Sequence, residues 1–216
     1  MKIEKFIVTC SSISLYDSFY SNYHLNNDDT SDYKPLTIDK SPLNKIIFWF
    51  SQCTHQVNLI ILVSYIAKIL NHTNFSNTLL KIGFPNLSTV VILYWSLLGN
   101  KSTIETKFRY YNIYLHLLVF PLCFYDVLRN PKLTFKAGDL KYTVTYFIIA
   151  TLSNIINFKL RPGVWTYGLF KFVKPTTDLS GYIYYLITIC TSILSHIAIG
   201  KFKTINTFKI QSRLVK

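Results

Sequence analysis

One imidazole sits inside an apolar run. Residues 110–128 (YYNIYLHLLVFPLCFYDVL) hold a single histidine, His116, together with Asn112, Pro121 and Asp126. An imidazole changes charge near neutral pH, so it can take up or release a proton under ordinary conditions. Burying an ionisable group in an apolar layer is costly, and such a group normally faces a bundle interior and marks a site. As a helix the run is about 28 Å long, close to the hydrocarbon thickness of a bilayer, with His116 about 9 Å below its first residue. Asn112 lies four residues earlier, on the same helical face. Pro121 lies five residues later and removes a backbone donor, which loosens or bends a helix. The plainer alternative for His116 is a satisfied interhelical hydrogen bond.

A second polar group interrupts residues 46–67 (IIFWFSQCTHQVNLIILVSYIA), where Ser51, Gln52, Thr54, His55, Gln56 and Asn58 gather. Thr54 is about 12 Å into that run. For Thr54 the alternative is a hydroxyl back-bonded to its own helix. His55 points to a different helical face from Thr54.

The elements that must position these residues follow from composition. The chain has 216 residues, half of them hydrophobic, and a mean hydropathy of +0.27. Charged residues make up 15%, well below the usual quarter or so, and they fall between apolar runs. That is the composition of a small integral membrane protein. The net charge of +13 comes from lysines and arginines flanking apolar segments, which implies contact with lipid headgroups rather than nucleic acid. The fold expected is all-α, a polytopic bundle of six transmembrane helices. The spans are residues 5–20, 46–67, 79–98, 110–128, 140–158 and 180–200. The first is the weakest, since it carries Asp17 and several serines, and an interfacial segment is its alternative. The chain thus divides into a weak first helix and polar loop (1–44), a helical core (45–200) and a basic tail (201–216). With both termini on one face, 13 of the 23 basic residues fall there, which points to cytoplasmic termini.

Two spans separated by one other run parallel, so the second and fourth begin at the same face. Thr54 and His116 then lie at matching depth, and the loop 159–179 emerges above them. Asp126 marks the far end of the fourth span or pairs with Arg129. His196, near the end of the sixth span, reads as interfacial. The four isolated cysteines read as reduced packing residues. The spacing of His and Cys suits no metal site, no glycine-rich phosphate loop is present, and no cofactor is expected.

These residues carry a family resemblance. NIYLHLLVFP resembles the Asn-x-x-x-His-x-x-x-x-Pro signature of the androgen-induced membrane protein family, on Asn112, His116 and Pro121. RPGVWTYGLFKFV is similar to that family's Gly-x-Trp-x-Tyr-Pro-Phe stretch on Gly163, Trp165 and Tyr167, with Gly168 in place of the proline. CTHQVNLIIL resembles the segment around the family's threonine, on Thr54 and Asn58, with Cys53 and Val57 departing from the pattern of its bacterial relatives. The similarity covers roughly residues 46–200. It implies an intramembrane hydrolase of fatty-acid esters of hydroxy fatty acids, with Thr54 and His116 catalytic and Asn112, Asn58, Trp165 and Tyr167 supporting. A threonine hydroxyl needs a neighbouring base to become a useful nucleophile, and histidine suits that task. Asn112 would orient the imidazole, and Gln56 or Tyr167 would polarise the ester carbonyl. Phe48, Trp49, Phe50 and Phe120 would line an acyl slot. Lys107, Arg109, Lys159, Arg161 and Lys171 would hold a carboxylate. The bacterial relatives imply the plasma membrane of a bacterium. The partners expected are membrane lipids and a lipid ester substrate.

The rival class is a non-enzymatic multi-span protein, transporter-like or a scaffold, that keeps its polar core for packing. A transporter would show a repeat or broken helices at matching positions, and the sequence displays neither.

Overall fold

The computed structural model describes residues 2–24, 42–98, 110–160 and 179–214, and all their regular structure is helical. Helix α1 is Ile3–His24, α2 is Pro42–Ser51, α3 is Cys53–Ile69 and α4 is Thr73–Leu93, which continues into a π turn at Tyr94–Leu98. Helix α5, Tyr110–Ile113, passes through a second π turn, Tyr114–Leu118, into α6, Val119–Arg129. A short 3-10 turn at Ala137–Asp139 leads to α7, Leu140–Leu160, and α8 is Leu179–Leu214. Helix α3 packs against α4 and α1, while α4 also packs against α7 and α8.

Among the described residues three stretches are both long and apolar enough to cross a membrane: Thr73–Ser96, Tyr111–Arg129 and Tyr185–Ile205. The polarity of the bundle is that of a protein in lipid. On α1 the buried stripe is Ile7, Ser11, Ser14, Leu15 and Ser18, while Ile13, Tyr16 and Tyr20 face outward. On α7 the outward face is Val144, Ile148, Ile149, Leu152 and Ile156, and Thr143 and Asn154 are inside. Small serines let helix backbones approach where lipid supplies no hydrophobic drive for packing.

Two sequence expectations are corrected here. The second predicted span is not one helix. It breaks at Gln52, which is extended (φ −79, ψ 121), so α2 and α3 are separate. Helix α8 runs unbroken from Leu179 to Leu214, through most of the residues read as a basic tail. Nothing in 201–214 stops a helix, and Lys203 is buried with its ammonium donating to the carbonyls of Val127, Leu128 and Asn130, groups that the end of α6 leaves open. Finally, Asp126 does not pair with Arg129. Both its oxygens accept from Lys68 Nζ, at 2.7 and 2.8 Å, and Tyr65 donates its hydroxyl at 3.1 Å.

Lys68 also reaches Glu4 at 3.4 Å, and Lys81 reaches Asp139 at 3.0 Å. His196 is buried. Its Nε2 lies 3.1 Å from the Lys136 carbonyl, which can only accept, so Nε2 carries the proton and Nδ1 accepts from Thr143 at 3.2 Å. No disulfide joins the four cysteines; Cys123 is buried and Cys190 exposed.

Two glycines set close approaches. A Cβ at Gly83 would stand 3.0 Å from Ile60 and Ile61 side-chain carbons, and one at Gly200 would stand 2.8 Å from the Phe135 carbonyl oxygen. The Phe135 oxygen is backbone and cannot rotate aside, so Gly200→Ala forces α8 outward. Overpacking of this kind costs about 1–3 kcal/mol. The expected outcome is a lower midpoint of thermal unfolding in detergent; an unchanged midpoint would mean that α8 does not approach Phe135 this closely.

Asp139 gives a pH-dependent contribution outside the apolar segments. Burial works to raise its carboxyl, but the Lys136 N–H and the Lys81 ammonium outweigh it and hold the group below its ordinary 3.8. A depressed carboxylate stabilises the fold above its unfolded value, and the contribution is lost as pH falls through the folded value. Wild type is therefore expected to exceed Asp139→Asn in stability at pH 6, with the gap closing as pH drops below about 4. A gap that persists at low pH would contradict the ion pair.

Candidate functional site

The two π turns meet. The Tyr94 ring lies face to face with the His116 imidazole, centroids 3.6 Å apart and planes 11° from parallel. The next residue, Trp95, donates its indole N–H to the His116 carbonyl at 2.9 Å. The second π turn has a local cause. The Pro121 ring cannot approach the carbonyl of Leu117, four residues before it, and it supplies no N–H there. The chain widens by one residue, and the Val119 N–H bonds to the Tyr114 carbonyl. Such turns concentrate at functional positions. His116 is buried, and its Nδ1 has no hydrogen-bond partner. Asn112, half-buried one turn earlier, therefore does not hold that nitrogen. Stacking on Tyr94 orients the ring.

The level of His116 follows from the Asp126 tie. Tyr65 on α3 meets Asp126 on α6, and ten residues earlier on each helix His55 is within electrostatic reach of His116, so the two helices run in the same direction. His116 lies ten residues before Asp126 and Thr54 eleven before Tyr65, so each is about 15–16 Å from the tie. Both are buried. Asn58 Nδ2 donates to the Thr54 carbonyl at 2.8 Å, and its Oδ1 has no partner. Asn58 thus braces the α3 turn that carries Thr54.

The break at Gln52 leaves carbonyls that side chains cover. Gln56 Nε2 donates to the Phe50 carbonyl at 2.8 Å and to Ser153 Oγ at 3.0 Å. Tyr146 donates to Gln56 Oε1 and to the Cys53 carbonyl, each at 3.3 Å. Gln56 is thus committed to holding the break and is not placed to polarise a substrate carbonyl. Of the residues expected to line an acyl slot, Phe120 stacks on Phe84 and Phe124, while Trp49 packs against Phe19, Phe50 and His55, and Phe50 is about half exposed. Trp165 and Tyr167, with Lys107, Arg109, Arg161, Lys171 and the Phe48 and Lys159 side chains, lie outside the described residues.

His55 was expected on a different face from Thr54, and it turns toward α1. Its Nε2 lies 2.7 Å from Ser18 Oγ, its Nδ1 lies 3.0 Å from the Trp49 carbonyl, and its ring stacks on Trp49 with centroids 4.4 Å apart. His55 and His116 are within electrostatic reach of each other. Ser11 shares a hydrogen bond with the Tyr114 hydroxyl at 3.2 Å, which ties α1 to the π turn. The sequence reading missed Ser18, Tyr94 and Trp95. The spacing of Ser11, Ser14 and Ser18 along one helical face was the signal for α1; nothing local marks Tyr94 or Trp95.

Among the described residues no group of three His, Cys, Asp or Glu side chains converges to hold a metal ion. Comparison with protein-family models, with curated proteins and with solved structures found no match.

Trp95→Phe keeps the ring and removes the N–H that fixes the His116 backbone. A single hydrogen bond of this kind contributes about 1 kcal/mol, so stability is expected to fall by about that much in a detergent unfolding titration. No measurable loss would mean that the indole does not hold the π turn.

Proposed function

We propose that this chain is an intramembrane hydrolase of lipid esters, a six-span bundle in which Thr54 is the nucleophile and His116 the base. Helices α1, α4, α7 and α8, the α2–α3 pair and the α5–α6 pair would make the six crossings. The observation that carries this reading is a buried imidazole with an uncommitted Nδ1, held by stacking at the depth of a buried threonine on a parallel helix. The resemblance to androgen-induced membrane proteins supplies the reaction class. In that reaction Thr54 Oγ attacks the ester carbonyl and its proton passes to His116. The leaving alcohol takes that proton, and water, deprotonated in turn by His116, releases the acid. Asn58 braces the Thr54 turn and Asn112 sits one turn from His116, while Trp165 and Tyr167 would support the site as the resemblance implies. The termini would be cytoplasmic, in the plasma membrane of a bacterium.

A second reading has one observation in its favour. The α2–α3 break is a discontinuous helix among apolar segments, a device that transporters use at their binding sites. A non-enzymatic, transporter-like bundle would keep the same polar interior without turnover.

The test is hydrolysis of a fluorogenic long-chain ester by purified protein in detergent. Removing a nucleophile or its base should cut turnover at least about 100-fold, in Thr54→Ala and in His116→Ala alike. A folded wild type with no turnover, or full activity in either variant, would overturn the assignment.

A further inference from the structure

The same interior holds a second hydroxyl–imidazole pair, and its protons can be placed. The Trp49 carbonyl can only accept, so His55 Nδ1 carries the hydrogen in the 3.0 Å contact. His55 Nε2 then presents its lone pair, and at 2.7 Å the Ser18 hydroxyl is the donor. That is the polarity a general base needs: hydroxyl to imidazole, imidazole to an orienting acceptor. A further donor stands beside the pair. Trp49 stacks on His55, is 4% exposed, and its indole N–H has no hydrogen-bond partner. A buried donor left unsatisfied calls for an explanation, and a transient acceptor such as a developing oxyanion is one.

We infer that Ser18 and His55 form a nucleophile–base couple that takes an acyl group from a lipid ester, with the Trp49 N–H facing the carbonyl oxygen. The inference rests on reading the bundle as an ester hydrolase, and it adds to the Thr54–His116 centre a slower second route that stays within the residual turnover expected when that centre is removed. Ser18 Oγ bonds to the carbonyl carbon while its proton moves to His55 Nε2. The carbon–alkoxy bond breaks, and the alcohol leaves with that proton. Water then attacks the acyl-serine and gives a proton to His55 Nε2, which returns it to Ser18 as the carboxylic acid departs. Ester and water become acid and alcohol, with no other reactant. Ser18 is buried, so an acyl chain reaches Oγ only if the surrounding side chains move.

The experiment incubates full-length protein in detergent with a long-chain alkyl fluorophosphonate and maps the adduct by peptide mass spectrometry. His55→Gln is the informative variant, since its amide can still bond Ser18 and tie α1 to α3 but cannot act as a base. The expected result is an adduct on Ser18, absent in Ser18→Ala and reduced at least tenfold in folded His55→Gln. An adduct confined to Thr54 would overturn the Ser18 couple and leave the Thr54–His116 assignment standing. A Ser18 adduct indifferent to His55→Gln would overturn the role of the imidazole. No adduct on Ser18, with ester turnover intact, would overturn this inference alone; no adduct and no turnover would remove both readings.

Discussion

The hydrogen-bonded ion pair between Lys68 and Asp126 fixes the register on which the interior depends. It joins residues 58 apart in sequence, at the ends of α3 and α6, with the Tyr65 hydroxyl as third member and Glu4 of α1 close by. Two partners on one carboxylate satisfy most of its acceptor capacity, which is what makes a mostly buried charge tolerable. Breaking such a pair by removing one partner typically costs about 3–5 kcal/mol, because a lone buried charge remains. Once those ends are pinned, helical rise alone brings the polar turns of α3 to the level of the π turn that carries His116.

The second constraint is polarity inside. The chain buries serine, threonine, asparagine and histidine among its core leucines, isoleucines and valines, and exposes further leucines and isoleucines. In a hydrocarbon surrounding, polar groups find partners only in each other, so the hydrogen bonds from α1 to α3, Thr89 to Ser192 at 2.6 Å, and His196 to Thr143 all cross between helices. The same rule explains the covered break at Gln52. Open carbonyls at that depth are tolerated only where side chains such as His55 and Gln56 reach them.

What the sequence made legible was local. The helical nature of the chain followed from long apolar runs, and Pro121 announced a disturbed turn next to His116. The break at Gln52 was not legible, because no proline or glycine sits there; it is held by Tyr146 and Ser153, more than ninety residues away. Asp126 was assigned to the boundary or to Arg129 because sequence proximity was the only guide, whereas the choice is made by the register of α3. The polar residues of α1 lowered its hydropathy and made it look marginal. On the helix their spacing turns three serines inward, so the feature that weakened the span is the one that docks it. Nothing in the sequence pairs His196 with Thr143, and only the fold brings the two together.

The proposed function requires one spatial relation, α3 and α5–α6 parallel with positions 54 and 116 facing one another at one depth. Thiol crosslinking of Thr54→Cys with His116→Cys, in a chain whose four native cysteines are replaced by serine, measures this directly. With a bifunctional reagent no longer than one helical turn, about 5.4 Å, the account predicts efficient intramolecular crosslinking. Controls would pair Cys at 54 with Cys at 125, which lies near the opposite end and should not crosslink. Failure at 54 and 116 in folded protein, or equal yield in the control pair, would contradict the account.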